Sequence, residues 1–153
     1  MTSPEPYRHT QRSPLGPAFT VAAIGCLVVA VLFEAPFVRM LCLAMAVIAA
    51  LLAAMLSRLS FHEQDDALRV RFGPLPWGGT TVRYDRVRAV RRARSSFLDG
   101  WGIHWFPGRG WTCNLWGFDC VEITTDRGLV RLGTDDPDGL ARHLLQRAGP
   151  RGG

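Results

Sequence analysis

Pro17–Phe33 reads PAFTVAAIGCLVVAVLF and Met40–Ser57 reads MLCLAMAVIAALLAAMLS, and neither run contains a charged side chain. As helices they are roughly 26 and 27 Å long, which matches the hydrocarbon thickness of a bilayer. Between them Glu34-Ala35-Pro36-Phe37-Val38-Arg39 carries a proline and one charge of each sign, as a tight polar turn would. So short a link makes the two spans antiparallel neighbours. A cleaved signal peptide would end in small residues, but the first run ends in Phe33-Glu34-Ala35 and a second apolar run follows at once. A buried helix pair in a soluble core would need chain on every side, and the remaining residues have their own apolar positions to bury. The sequence therefore predicts a transmembrane helical hairpin over 17–57, with spans at 17–33 and 40–57, after a disordered tail over 1–16.

All 18 basic residues are arginine, and the net charge is +5 with a pI near 9.7. With abundant alanine, glycine and proline, this looks in part like the coding bias of a GC-rich genome. The charge also suits a protein lying against anionic lipid, and with two apolar spans present that reading outweighs nucleic-acid binding. Arg8 and Arg12 precede the first span, Arg39 alone lies in the loop, and Arg58 opens a segment holding the rest. The excess of arginine at the two ends places both termini in the cytoplasm, in a multi-pass protein of the cell membrane. Ala46, Ala50 and Ala54 recur at four-residue spacing in the second span, as do Ala18 and Ala22 in the first, an interval that lets helices approach closely. Neither span holds an ionisable side chain, so nothing there marks an ion path or a proton relay. Cys26, Cys42, Cys113 and Cys120 show no metal or redox spacing, and four free thiols are expected.

After Arg58 the pattern becomes alternating. Ala67-Leu68-Arg69-Val70-Arg71-Phe72 puts Leu68, Val70 and Phe72 on one face and its arginines on the other. Further strands are expected at 59–63, 80–84, 87–95, 102–106, 112–116, 120–125 and 129–132, separated by turn sequences such as Pro76-Trp77-Gly78-Gly79 and Asp126-Arg127-Gly128. Thr134-Asp135-Asp136-Pro137 caps a final helix whose stripe is Leu140, Leu144 and Leu145, and Gly149-Pro150 stops it. The prediction is an all-β barrel of antiparallel strands over 58–148 with one C-terminal helix, and a frayed tail over 149–153.

Phe72-Gly73-Pro74, Tyr84-Asp85-Arg86-Val87, Gly100-Trp101-Gly102-Ile103 and Gly133-Thr134-Asp135-Asp136-Pro137 resemble the small bacterial two-helix membrane proteins with a C-terminal pleckstrin-homology-like (PH-like) domain, a mostly uncharacterised group. The resemblance covers roughly residues 58 to 147 and implies a fold: a membrane α-hairpin followed by a PH-like barrel whose helix plugs one end. It carries over no catalytic or ligand-binding residue.

Two features are candidates for binding. Arg86, Arg88, Arg92 and Arg94 would share one face of a regular strand, interrupted by Val90, and could meet headgroup phosphates. Codon bias on a solvated strand is the plain alternative. Trp105 and Trp111 flank a hairpin tip at Pro107-Gly108-Arg109-Gly110, where aromatics beside Arg109 suit a membrane interface or a protein contact. Trp101 and Phe118 are assigned to the core. His9, His62, His104 and His143 show no ligand spacing, Cys113, His104 and Asp119 form no nucleophile–base motif, and the short glycine patterns join no strand to a helix. The expectation is a non-catalytic binding or scaffold module without metal or cofactor. Its partners would be the bilayer, anionic headgroups, and another membrane or cytoplasmic protein. The alternative is a small structural accessory subunit of a larger membrane complex.

Overall fold

The computed structural model of the chain describes residues 6–74, 78–95, 102–108 and 110–149. Trp101 and Arg109, the turn residues Pro76 and Trp77, and the tail beyond Gly149 lie outside them. Two long apolar helices, α1 (Leu15–Leu32) and α2 (Pro36–Met55), pack as a hairpin and are both long and apolar enough to cross a membrane. The second begins four residues earlier than the charge pattern implied, because Pro36 sits in its first turn, where a missing amide hydrogen costs nothing. Arg39 is thus helical, and its Nε donates to the Ala30 carbonyl at 3.2 Å, closing the end of α1.

The hairpin interface is made of small residues, and the expected stripe contributes to it only in part. Gly16, Ala23 and Ala30 of α1 and Ala46, Ala49 and Ala53 of α2 are buried. Ala18, Ala22 and Ala50 face outward, and Ala54 is half-buried. Helices that wrap past one another stay in contact with a period near 3.5, so steps of three and four alternate along the seam and a run of successive four-residue steps drifts away. Only 17% of α1 and 11% of α2 is buried. Val21, Val31, Leu32 and Phe37 are left on the surface.

The segment expected to be a disordered tail is instead a strand. β1 (Arg8–Arg12) pairs antiparallel with β2 (Arg58–Gln64), from Arg8 opposite His62 to Arg12 opposite Arg58, and the ladder runs on through Ser13 N–H to Ser57 C=O at 3.1 Å. Strand, helix, helix and strand thus form one continuous antiparallel unit. RHTQR escaped detection because its deeply buried position is Gln11, whose amide donates to the Trp116 carbonyl at 2.9 Å. Alternation of apolar residues cannot reveal a strand whose inward positions are polar.

Two sheets follow. The first has the order β1-β2-β3-β4, with β3 at Ala67–Phe72 and β4 at Gly79–Arg83. A 3₁₀ turn at Tyr84–Arg86 leads into the second, ordered β5-β8-β9-β7-β6, with β5 at Val87–Arg94, β6 at Gly102–Phe106, β7 at Gly110–Asn114, β8 at Asp119–Thr125 and β9 at Gly128–Gly133. Among the described residues no ladder joins the two sheets, so they show two sheets and a helix and no closure into the barrel expected from the sequence. The strands are not all antiparallel either, since β7 runs parallel to β9. Residues 115–118 carry the chain across the end of β9, and a Cβ at Gly133 would lie 2.1 Å from Asn114 Oδ1, so only glycine fits under that crossing. Phe118, expected in the core, lies on this crossing and is exposed.

Helix α3 (Pro137–Ala148) is capped by Asp136, which accepts from Gly139 N–H at 2.9 Å, and it lays Leu140 and Leu144 on the inner side of the domain. Leu59, Phe61, Leu68, Val70, Val121, Ile123 and Leu132 from both sheets complete one core. Each such side chain contributes about 1.5–3 kcal/mol by leaving water. The core is drawn from the sheets and α3, and the end of α2 adds the partly buried Leu56 to it. All four cysteines are free.

Candidate functional site

The strand holding Arg86, Arg88, Arg92 and Arg94 does not bring them together. The ladder between β5 and β8 slips by one residue between Val87 and Ala89, a bulge that absorbs Arg88. A slip of one residue exchanges the two faces of a strand. Beyond it Val90 and Arg92 stand opposite Ile123 and Val121 on the core side, and Arg91 stands opposite Glu122 on the other. Arg92 consequently reaches Asp138 at the start of α3 at 2.8 Å, and Arg94 lies 3.7 Å from Asp119. Arg86 is in the 3₁₀ turn, half-buried, and Arg88 is exposed on the bulge. Two of the four are spent on holding the domain together.

Arg91, which the regular-strand pattern left out, joins a buried carboxylate. Glu122 is 2% exposed and lies between Arg91 and Arg131, whose Nε donates at 2.8 Å. Burial alone would raise this carboxyl, but the hydrogen bonds and charges of both arginines outweigh it and hold it below its ordinary value.

Trp105 and Trp111 stand directly opposite each other on β6 and β7, both more than half exposed, with Ile103 beside them. Arg109 lies outside the described residues. Cys113, one of the groups considered for nucleophilic chemistry, is fully buried, and burial pushes its thiol up to about 12, so it holds no thiolate near neutrality. Among the described residues no three His, Cys, Asp or Glu side chains converge as a metal site.

A second cationic surface lies on the outer face of the first sheet. Cross-strand register aligns Arg8, His62, Arg69 and Thr81 in one row, Thr10, Ser60, Arg71 and Gly79 in the next, and Arg12 with Arg58 in the row nearest the helices. Among the described residues no carboxylate stands on this face. Arg83, at its far corner, pairs with Asp66 at 2.8 Å and with Asp85. Arg8, Arg12, Arg58, Arg69 and Arg71 make no ion pair among the described residues. A shallow groove lined by Thr10, Arg58, Ser60, His62, Arg71, Gly73 and Pro74 crosses the face. Its floor is fixed by Gly73, at φ +64°, which donates to the Arg58 carbonyl at 2.7 Å and where a Cβ would meet the Ala54 carbonyl at 2.5 Å. The groove thus abuts the last turn of α2. Arg69 and Arg71 are outward by simple alternation, but seeing the whole face required β1 to be recognised as a strand.

Beneath α3 lies a second polar cluster. Glu63, with its side chain 4% exposed, pairs with Arg147 and accepts from Tyr7 N–H at 2.8 Å. His143 Nε2 is 3.0 Å from the Tyr84 hydroxyl and 3.6 Å from Glu63, and its ring stacks on Tyr7. Burial lowers the His143 pKa, with Arg147 acting in the same direction and Glu63 opposing. Burial likewise raises both tyrosines.

No protein family, curated protein or solved structure matches the chain.

Proposed function

We propose that the chain is a membrane-anchored, non-catalytic binding or scaffold module, in which the hairpin spans the cell membrane and a PH-like β-domain works at the cytoplasmic face. The observation that carries this reading is a hairpin with its apolar side chains on the surface, attached to a domain whose core is drawn from its sheets and α3. Such a surface is stable in hydrocarbon and a liability in water. The orientation rests on arginine distribution, while the pairing of β1 with β2 supports only that both flanking segments lie at one end of the hairpin. The PH-like reading rests on two sheets followed by one helix over a shared core, and it has to accommodate the parallel β7–β9 pair.

A cysteine placed at Glu34 tests the anchor and its direction together. An impermeant maleimide should label Glu34→Cys in intact cells and reach a cysteine appended at the C-terminus only after lysis. Release of the protein from membranes by alkaline washing would defeat the anchor, and the reverse labelling would defeat the orientation.

The accessory-subunit reading is favoured by one observation, the exposed Ile103, Trp105 and Trp111 on a single stretch of sheet. It expects one membrane protein to co-purify in detergent and to be lost with Trp105→Ser and Trp111→Ser.

A further inference from the structure

Resting on the membrane reading above, we infer that the groove between Arg58 and Arg71 holds the phosphate of an anionic glycerophospholipid headgroup, drawn from the bilayer that the hairpin spans. Position argues for it first. Gly73 lies against Ala54 and Met55 in the last turn of α2, and the Ser13–Ser57 hydrogen bond joins sheet to helices at the same level. The groove therefore opens where α2 leaves the hydrocarbon, which is the depth of the lipid phosphates.

Chemistry argues for it next. Arg58 and Arg71 offer planar forks that match two phosphate oxygens each, and the hydroxyls of Thr10 and Ser60 stand 3.4 Å apart between them. His62 supplies a further ring nitrogen at the rim. A face of arginines without a carboxylate has no other means of neutralisation among the described residues. Arg12 in the same row as Arg58, with Arg8 and Arg69 farther out, lies within about a Debye length of 8–10 Å and deepens the potential. The same field repels the ammonium group of a zwitterionic headgroup, so the site selects anionic lipid. The groove is a shallow cleft of ≈ 270 Å³ that does not enclose its contents. That suits a headgroup whose acyl chains remain in the membrane better than a soluble ligand that must be enclosed.

The test uses the full chain in nanodiscs of phosphatidylcholine containing a small share of either spin-labelled phosphatidylglycerol or spin-labelled phosphatidylcholine. Electron paramagnetic resonance then measures how strongly each probe is immobilised. The anionic probe should associate at least about fivefold more strongly, the worth of a single arginine near an anionic surface. Arg58→Gln with Arg71→Gln should bring the ratio near one, and Arg58→Lys with Arg71→Lys should leave it between the two. Arg88→Gln with Arg92→Gln, which removes the same charge from β5, should leave the ratio intact, and so should millimolar inorganic phosphate. Equal immobilisation of both probes would overturn the inference. So would a ratio indifferent to Arg58 and Arg71, one lost through Arg88 and Arg92, or displacement of the lipid by free phosphate. A chain that fails to enter nanodiscs at all would instead sink the membrane reading on which this inference stands.

Discussion

Glu122 is the residue whose surroundings most constrain what can replace it. Its carboxylate is out of water and is kept ionised by two arginines, so neutralising it removes a charge-assisted pair with Arg131, which is 16% exposed, in a drier setting than the pair with Arg91, which is largely in solvent. Glu122→Gln should therefore lower unfolding stability by about 3 kcal/mol, the lower end for a broken buried pair. Urea titration of the detergent-solubilised protein would measure it, and a loss under 1 kcal/mol would mean that the three groups are effectively in water. The same residue shows why the placement of its neighbours was hard to read from sequence. Six arginines in twelve positions were plain to see, but one bulge at Arg88 decided which of them face Glu122 and which face Asp138. A bulge has no composition of its own, since here it is an arginine among arginines.

At the scale of elements, most strands were visible because their buried positions are apolar. β3 and β6 fall where alternation put them, whereas β7 begins two residues earlier because it closes a tight hairpin on β6 through Gly110. β1 was invisible for the opposite reason, with Gln11 and His9 turned inward. Its presence makes a clear prediction about dissection. A fragment beginning at Arg58 loses β1, bares the edge of β2 and removes Tyr7 from Glu63, so it should aggregate or unfold. Replacing residues 14–56 with Asn-Gly, a two-residue turn between the hydrogen-bonded Ser13 and Ser57, should instead give a soluble, monomeric domain with cooperative thermal unfolding. Circular dichroism and gel filtration of both proteins decide the matter. A well-folded fragment from Arg58 onward would show that β1 contributes little.

At the scale of the whole molecule, the cluster of Tyr7, Glu63, Tyr84, His143 and Arg147 joins β1, β2, the 3₁₀ turn and α3, so its protonation bears on how the entire domain holds together. His143 has a lowered pKa in the folded state, from an ordinary value of 6.5, which means that the unfolded chain takes up a proton first as the medium is acidified. Stability is thus full above about pH 6.5 and falls as pH drops toward the depressed folded value. The melting temperature in detergent should decline between about pH 7 and pH 5, and His143→Gln should flatten that slope. An unchanged slope in the variant would move the effect to another group. The continuity of strand, hairpin and strand also orders events in time. Residues 8–12 leave the ribosome first, yet their partner at Arg58 follows roughly 46 residues later, several seconds at ~5–20 residues per second. Over that interval the hairpin is made and β1 has nothing to pair with, so completion of the first sheet waits on the two helices coming to lie side by side. The domain's first edge is closed by the pairing of the two helices itself, and a chain whose helices failed to pair would betray the fault as an unfinished sheet.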